Sequence, residues 1–383
     1  MSDIPAPAQA AAPPRQAAAH VTADDDDDDA AWARRCPKVL LHEHLDGGLR
    51  TATLLDLLRA RGLPAPATDV AGLDAWFDAR AHAGSLEEYL RGFALTVAAM
   101  ASPAALERVA FEAAEDARAD GVVLAEFRIA PLLFEPWGVD GDAAVEALLA
   151  GLARSPLPSG LIVCAMRQEA PARIAAAADL ALRWQGRGVV GFDLAGPEAG
   201  WPAAPHAALL RRVRDAGLGL TLHAGEADAG TRVLEAAALG ARRIGHGVRL
   251  AELLDDPAHA DALARLRADG VHLEVCPTSN LHTGAARDLV THPIHALWRA
   301  GLSLSFHTDN RLISRTRHSD EALALLRHGF SRADLQAMGV AAAPAAVLPA
   351  AGRGPAAPAG AAGTPHPVTD PAPQPPAAGG THG

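Results

Sequence analysis

Short apolar runs, each followed by a longer stretch in which Ala and Leu recur at helical spacing, set the rhythm of this chain. A run of a few apolar residues fits a strand buried on both faces, and the longer stretches fit crossover helices, so the alternation predicts a parallel sheet. Eight such runs occur: Val39–Leu41, Val122–Ile129, Gly160–Met166, Val189–Leu194, Leu218–Leu222, Arg243–Gly245, Val271–Cys276 and Ser303–Phe306. Eight strands with intervening helices predict an α/β fold, a closed (β/α)8 TIM barrel that leaves no sheet edge to protect. The stretch between the first two runs is longer than a crossover needs. Within it Leu54, Leu57 and Leu58 share a helical face, and Ser85 with Glu88 forms a capping box ahead of Tyr89, Leu90 and Phe93. This predicts a helical insertion after strand one that lies over the barrel mouth, as a water-excluding lid or as extra packing.

Composition narrows where the fold resides. Residues 1–31, rich in Ala and Pro with an Asp run at 24–29, and residues 351–383, rich in Pro, Ala and Gly, lack apolar periodicity and are expected to be disordered tails. One domain over residues 32–350 remains. Of the formal charge of -11, the first tail contributes six negative charges, from seven Asp and one Arg, so the folded part is only mildly acidic. It offers no basic stripe for nucleic acid and no polybasic patch for a membrane. Three widely spaced cysteines, Cys36, Cys164 and Cys276, argue against a disulfide framework, and the chain shows neither a signal-peptide pattern nor an apolar run of membrane-spanning length. A cytoplasmic location is expected, and no feature fixes an oligomeric state.

The candidate chemistry gathers at the C-terminal ends of predicted strands, where barrel enzymes build their sites. His42-Glu43-His44 closes strand one, and alternation puts both imidazoles on one face with Glu43 pointing away. Strand five ends in His223-Ala224-Gly225-Glu226, strand six in Gly245-His246-Gly247 and strand eight in His307-Thr308-Asp309-Asn310. A His-x-His pair alone is weak evidence for a metal. Joined by His223 and Asp309 it becomes a nitrogen and oxygen set that suits zinc better than calcium or magnesium. Lys38 is the only lysine and precedes strand one, so no lysine is placed to bridge two metals; a single ion is expected.

The strings LHEHLDG at 41–47, FRIAP at 127–131, MRQ at 166–168, FDLAG at 192–196, HAGE at 223–226, GHG at 245–247, CPTSN at 276–280 and TDN at 308–310 resemble the adenosine deaminase family, in that family's order, from about residue 37 to 330. The resemblance implies one zinc ion held by His42, His44, His223 and Asp309, and hydrolytic deamination of a purine nucleoside, adenosine and also 2′-deoxyadenosine, in purine salvage. It implies that Glu226 protonates N1 of the ring, that His246 orients the attacking water, that the Gly196 N–H meets N3, and that Asp46 binds the ribose hydroxyls. Ser279 and Glu274 fit roles in holding ligands, or plain strand-end packing. Asn310 stands where many relatives carry Asp, and its amide can donate to N7 at any pH. His307 stands where Asn is expected; it is read as a buried, hydrogen-bonded histidine, with a competing metal ligand as the alternative. Pro197 follows Gly196, and Pro344 and Pro349 are expected to interrupt the closing helix. The alternatives are a deaminase of adenine or of another adenine-bearing nucleoside, and a non-catalytic purine-binding descendant.

Overall fold

The computed structural model describes residues 23–81, 86–90 and 92–348. Eight parallel strands pair in sequence order: β1 (Lys38–His44), β2 (Val122–Ile129), β3 (Ser159–Met166), β4 (Val189–Ala195), β5 (Gly219–Ala224), β6 (Arg243–His246), β7 (His272–Val275) and β8 (Ser303–Phe306). Helices cross over between them, which gives the expected (β/α)8 barrel. Strand β1 outruns its apolar core because pairing continues through Glu43↔Phe127 and His44↔Arg128, carrying the polar tip into the sheet.

No extended ladder joins β8 to β1. The seam closes at the rim, where Asp309 N donates to His42 O (3.0 Å) and His44 N donates to Asp309 O (2.7 Å). Below it the Leu41 N–H donates to Nδ1 of His307 at 3.2 Å. The candidate ligands on β1 and after β8 are thus also the residues that complete the barrel.

Between β1 and β2 the expected helical insertion is present, with helices at Thr51–Ala60, Val70–Ala81, Leu86–Leu90 and Phe93–Met100, followed by the crossover helix Pro103–Ala119. The crossover starts at an N-cap, Ser102, whose hydroxyl accepts from Ala105 N, with Pro103 in the first turn, where its missing N–H costs nothing. Leu54, Leu58, Leu73 and Phe77 are buried in the main apolar core. The expected Ser85–Glu88 capping box lies outside the described residues.

Two expectations about the ends need correction. The Asp run at 24–29 is not part of a disordered tail; it lies in the helix Ala23–Arg35. Carboxylates in the N-terminal half of a helix suit its dipole, and Asp26 pairs with Arg327 while Asp28 and Asp29 pair with Arg332. Ala33 of the same helix is fully buried. Pro344 does not interrupt the closing helix Arg332–Ala345, because it falls in the last turn, where there is almost no helix left to break. That helix packs Ala342 against Val39, Leu41 and Leu124. Residues 1–22 and 349–383 lie outside the described residues, and with them most of both expected tails and Pro349.

Candidate active site

The end of β1, the end of β5 and the turn after β8 bring His42, His44, His223 and Asp309 together, so that one ligand atom from each lies within 4.8 Å of the others. Nε2 of His44 is 3.2 Å from Nε2 of His223, and Oδ1 of Asp309 is 3.4 Å from His42 Nε2 and 3.6 Å from His44 Nε2. Ligands about 2.0–2.1 Å from a tetrahedral zinc ion sit about 3.3 Å apart, so the spacing fits such an ion. The chemistry fits too. Burial pushes the imidazoles of His44 and His223 down, toward the neutral form that ligates. Two ring nitrogens facing each other, beside a buried His42 Nε2 without a hydrogen-bond partner among the described residues, make a donor set that a cation could satisfy.

Three of the four candidate ligands are held from behind. Glu274 Oε2 is 2.9 Å from His42 Nδ1, Asp193 Oδ2 is 2.9 Å from His223 Nδ1, and the Ser279 hydroxyl donates to Asp309 Oδ2 at 2.5 Å. Carboxylates on Nδ1 fix the tautomer that leaves Nε2 free. Both carboxylates are fully buried, which opposes ionisation. For Glu274, Arg128 and Arg243 outweigh burial, and for Asp193, His223 and Arg128 do, so both sit well below the usual carboxylate range.

Arg128, fully buried on β2, spans the barrel interior, donating to Asp193 (2.7 Å), Glu274 (2.6 Å) and Leu41 O (2.6 Å). Arg243 pairs with Glu126 and, at 2.5 Å, with Glu274. This ionic layer sits directly under the ligands. Breaking a buried pair leaves uncompensated charge, so Arg128→Met is expected to cost about 3–5 kcal/mol of unfolding free energy in a denaturant titration. A loss under about 1 kcal/mol would mean that the two carboxylates do not depend on it.

Above the ligands lies a cavity of about 210 Å³, walled by His44, Asp46, Gly196, Glu226, His246 and Asn310 and roofed by Leu86, Tyr89, Leu90 and Phe93 of the insertion. Every expected site residue but His42, which sits in the cluster beneath, lines this cavity, and helices of the insertion border it. Burial first, then the charges of Asp309 and Glu198, pushes the Glu226 carboxyl well above the usual range, toward the protonated form. Burial pushes the Asp46 carboxyl up to about 7. Oε1 of Glu226 and Oδ1 of Asp46 have no hydrogen-bond partner among the described residues. His246 is kept neutral by burial; the Asn280 carboxamide lies 3.0 Å from its Nδ1, and its Nε2 faces Glu226 Oε2 at 3.5 Å.

Backbone strain gathers here as well. His246 (φ 61°) and Asp309 (φ 58°) adopt the left-handed region, which side chains other than Gly enter at a cost of about 1–3 kcal/mol. Gly196 (φ 94°) turns the chain so that its backbone borders the cavity, and a Cβ on Gly245 would stand 2.9 Å from the His42 ring. Gly245 thus makes room for the imidazole of His42.

His307 resolves to the buried reading. Its Nδ1 accepts from Leu41 N, and its Nε2 donates to the Ser305 hydroxyl at 2.7 Å, leaving no free lone pair for a metal. Glu43 points away as expected, to Thr308 (2.9 Å) and Arg311 (2.6 Å) on the outer side of β1. The sequence reading did not single out Arg128, Arg243, Tyr89 or Glu198. Tyr89, whose hydroxyl accepts from Asn310 Nδ2 at 3.0 Å and lies 2.6 Å from Ser314 Oγ, is the only Tyr in the chain. A charged residue inside a strand that should be buried was the available signal for both arginines.

A (β/α)8 barrel whose C-terminal rim carries three histidines and an aspartate with ligand spacing defines a metal-binding hydrolase. Comparison makes the assignment narrower. The family model described as adenosine deaminase matches residues 37–355, and the chain belongs to that family. An adenosine deaminase of Mycobacterium avium is 43% identical over 337 residues, covering 82% of this chain and 92% of its own. Among solved structures, an amidohydrolase from Burkholderia ambifaria with bound zinc superposes with a TM-score of 0.73 at 26% identity, covering 86% of this chain and 90% of that one. The N6-mAMP deaminase of Arabidopsis does so with a TM-score of 0.72 at 26% identity, covering 83% and 95%. The protein is a deaminase.

Proposed function

We propose that the protein is a zinc-dependent adenosine deaminase that converts adenosine, and 2′-deoxyadenosine, to inosine and ammonia for purine salvage. The observation that carries this reading is one cavity bordered on one side by the His42, His44, His223 and Asp309 cluster and on another by the buried Glu226 carboxyl, whose Oε1 has no hydrogen-bond partner among the described residues. Three imidazoles and one carboxylate make a donor set suited to zinc. When bound, zinc would supply the acidity that brings a water's pKa from 15.7 to about 7. Glu226 donates its proton to N1, which makes C6 electrophilic. His246, neutral and beside Asn280, orients the water as the C6–O bond forms and the C6–N bond breaks, one water proton leaving with the amine as ammonia and the other restoring Glu226. The Gly196 N–H meets N3, the Asn310 amide meets N7, and the Asp46 carboxyl takes the ribose hydroxyls.

The described lining of the cavity contains no Lys or Arg, so a 5′-phosphate would find no cation, which favours a nucleoside over AMP. Its size suits a small molecule rather than a nucleic-acid strand. Among the described residues no single helix is long and apolar enough to cross a membrane, and all three cysteines are free and buried, as suits the reducing cytoplasm. A substrate panel tests the choice. Adenosine and 2′-deoxyadenosine should show the highest kcat/KM, with adenine and AMP far behind; preference for adenine or AMP would overturn it.

Asp46→Ala is expected to lower kcat/KM for adenosine by about 10–100-fold, the worth of a hydrogen bond to a charged group, at undiminished zinc content. Loss of zinc in step with activity would place Asp46 among the groups that hold the metal.

A further inference from the structure

The ladder between β4 and β5 is short, Gly191↔Gly219 and Phe192↔Leu220, and stops before the site. Beyond it the two chains are held by side chains. Asp193 Oδ1 accepts from His223 N at 3.2 Å, and Arg167 Nη2 donates to Leu194 O (2.8 Å) and His223 O (2.6 Å). The outermost tie is Glu198. Its Oε1 accepts from Gly225 N at 2.6 Å, and its Oε2 accepts from Glu226 N (2.9 Å), Ala227 N (2.8 Å) and Asp228 N (3.1 Å). Four consecutive amides converge on one buried carboxylate, in a loop that Gly225 (φ 68°) turns inward. Such a concave run of N–H groups is an anion site, and here the chain supplies its own anion.

We infer that Glu198 is a positioning residue: by clamping the loop of Glu226 to the loop of Gly196, it sets the spacing between the groups that address N1 and N3 of one purine ring. The assignment of N1 and N3 rests on the proposed function; the clamp itself does not. Glu198 lies two residues after Gly196, and the four amides include that of Glu226 itself, so slack at Glu198 moves one donor relative to the other. The groups that face the Glu226 carboxyl are Asp309, Glu198, Thr283, Arg167 and His246, and Glu198 is one of two like charges that oppose its ionisation.

The test is Glu198→Gln in the zinc-loaded enzyme. A carboxamide offers one acceptor oxygen and turns an NH2 toward the remaining N–H donors. At unchanged zinc content kcat should fall about 100-fold, the penalty for a misplacement of about 1 Å, with a smaller change in KM. The basic limb of the kcat–pH profile should move to lower pH, because removing a neighbouring negative charge lets Glu226 ionise earlier. Glu198→Asp keeps the charge and should restore the limb without restoring full kcat. In the wild-type protein, hydrogen exchange of amides 225–228 should be strongly slowed, a measurement that needs no variant to fold. Wild-type kcat with an unmoved limb in Glu198→Gln, or fast exchange of amides 225–228 in the wild type, would overturn the inference. Slow exchange in a protein without adenosine turnover would instead overturn the proposed function and leave the clamp standing.

Discussion

Glu226→Gln is expected to bind a full equivalent of zinc and to lose about 10²–10⁴-fold in kcat, the usual worth of a general acid. The side chain is none of the four ligands, so metal content should not change. An amide keeps the shape and can donate a hydrogen bond to N1, yet it cannot transfer a proton, so the variant separates hydrogen bonding from protonation. The wild-type pH profile should agree. Burial and the charges of Asp309 and Glu198 raise the carboxyl's pKa, so activity should be present below that raised pKa and lost as pH rises through it. The variant should lack that limb, and retained kcat would remove Glu226 from the chemistry.

Asp309→Asn should abolish turnover by a different route, through loss of the metal. Removing only an outer partner of a ligand costs about 10–100-fold in metal affinity, so replacing the one anionic ligand should cost at least about 100-fold. Asn tolerates the left-handed backbone found here, and the seam bonds at this position use main-chain atoms, so the barrel should stay closed. Competition with a chelator of known affinity reads the change. Unchanged affinity would show that Asp309 is not a ligand, and His307, both of whose nitrogens are already engaged, could not replace it.

The pattern of the chain carried the barrel and most of the site, for a reason visible in the strands. Val122–Ile129 and Ser303–Phe306 begin and end where the sequence reading puts them, although Glu126 and Arg128 interrupt the first run and Ser303 and Ser305 the second. The end of β1 was harder to read, since His42 and His44 belong to the sheet by pairing rather than by hydropathy. The convergence of His42, His44, His223 and Asp309 was legible because alternation along a strand and the C-terminal rim of a barrel fix where such residues point.

What composition misjudged depended on partners remote in sequence. The Asp run reads as unstructured until Arg327 and Arg332 supply its counter-charges from the far end of the fold. Glu198 gives no local signal at all, because its partners are four backbone amides on the next loop. Arg128 and Arg243 could have been found, since a cation inside an apolar strand must meet an anion across the barrel.

The most direct measurement is steady-state conversion of adenosine to inosine by the full chain, with metal content determined on the same sample, before and after chelation and after zinc is restored. The account predicts about one zinc per chain, turnover that disappears with the metal, and recovery on its return. Tight binding of adenosine without turnover in zinc-loaded protein would contradict it, and would leave a purine-binding barrel in place of an enzyme.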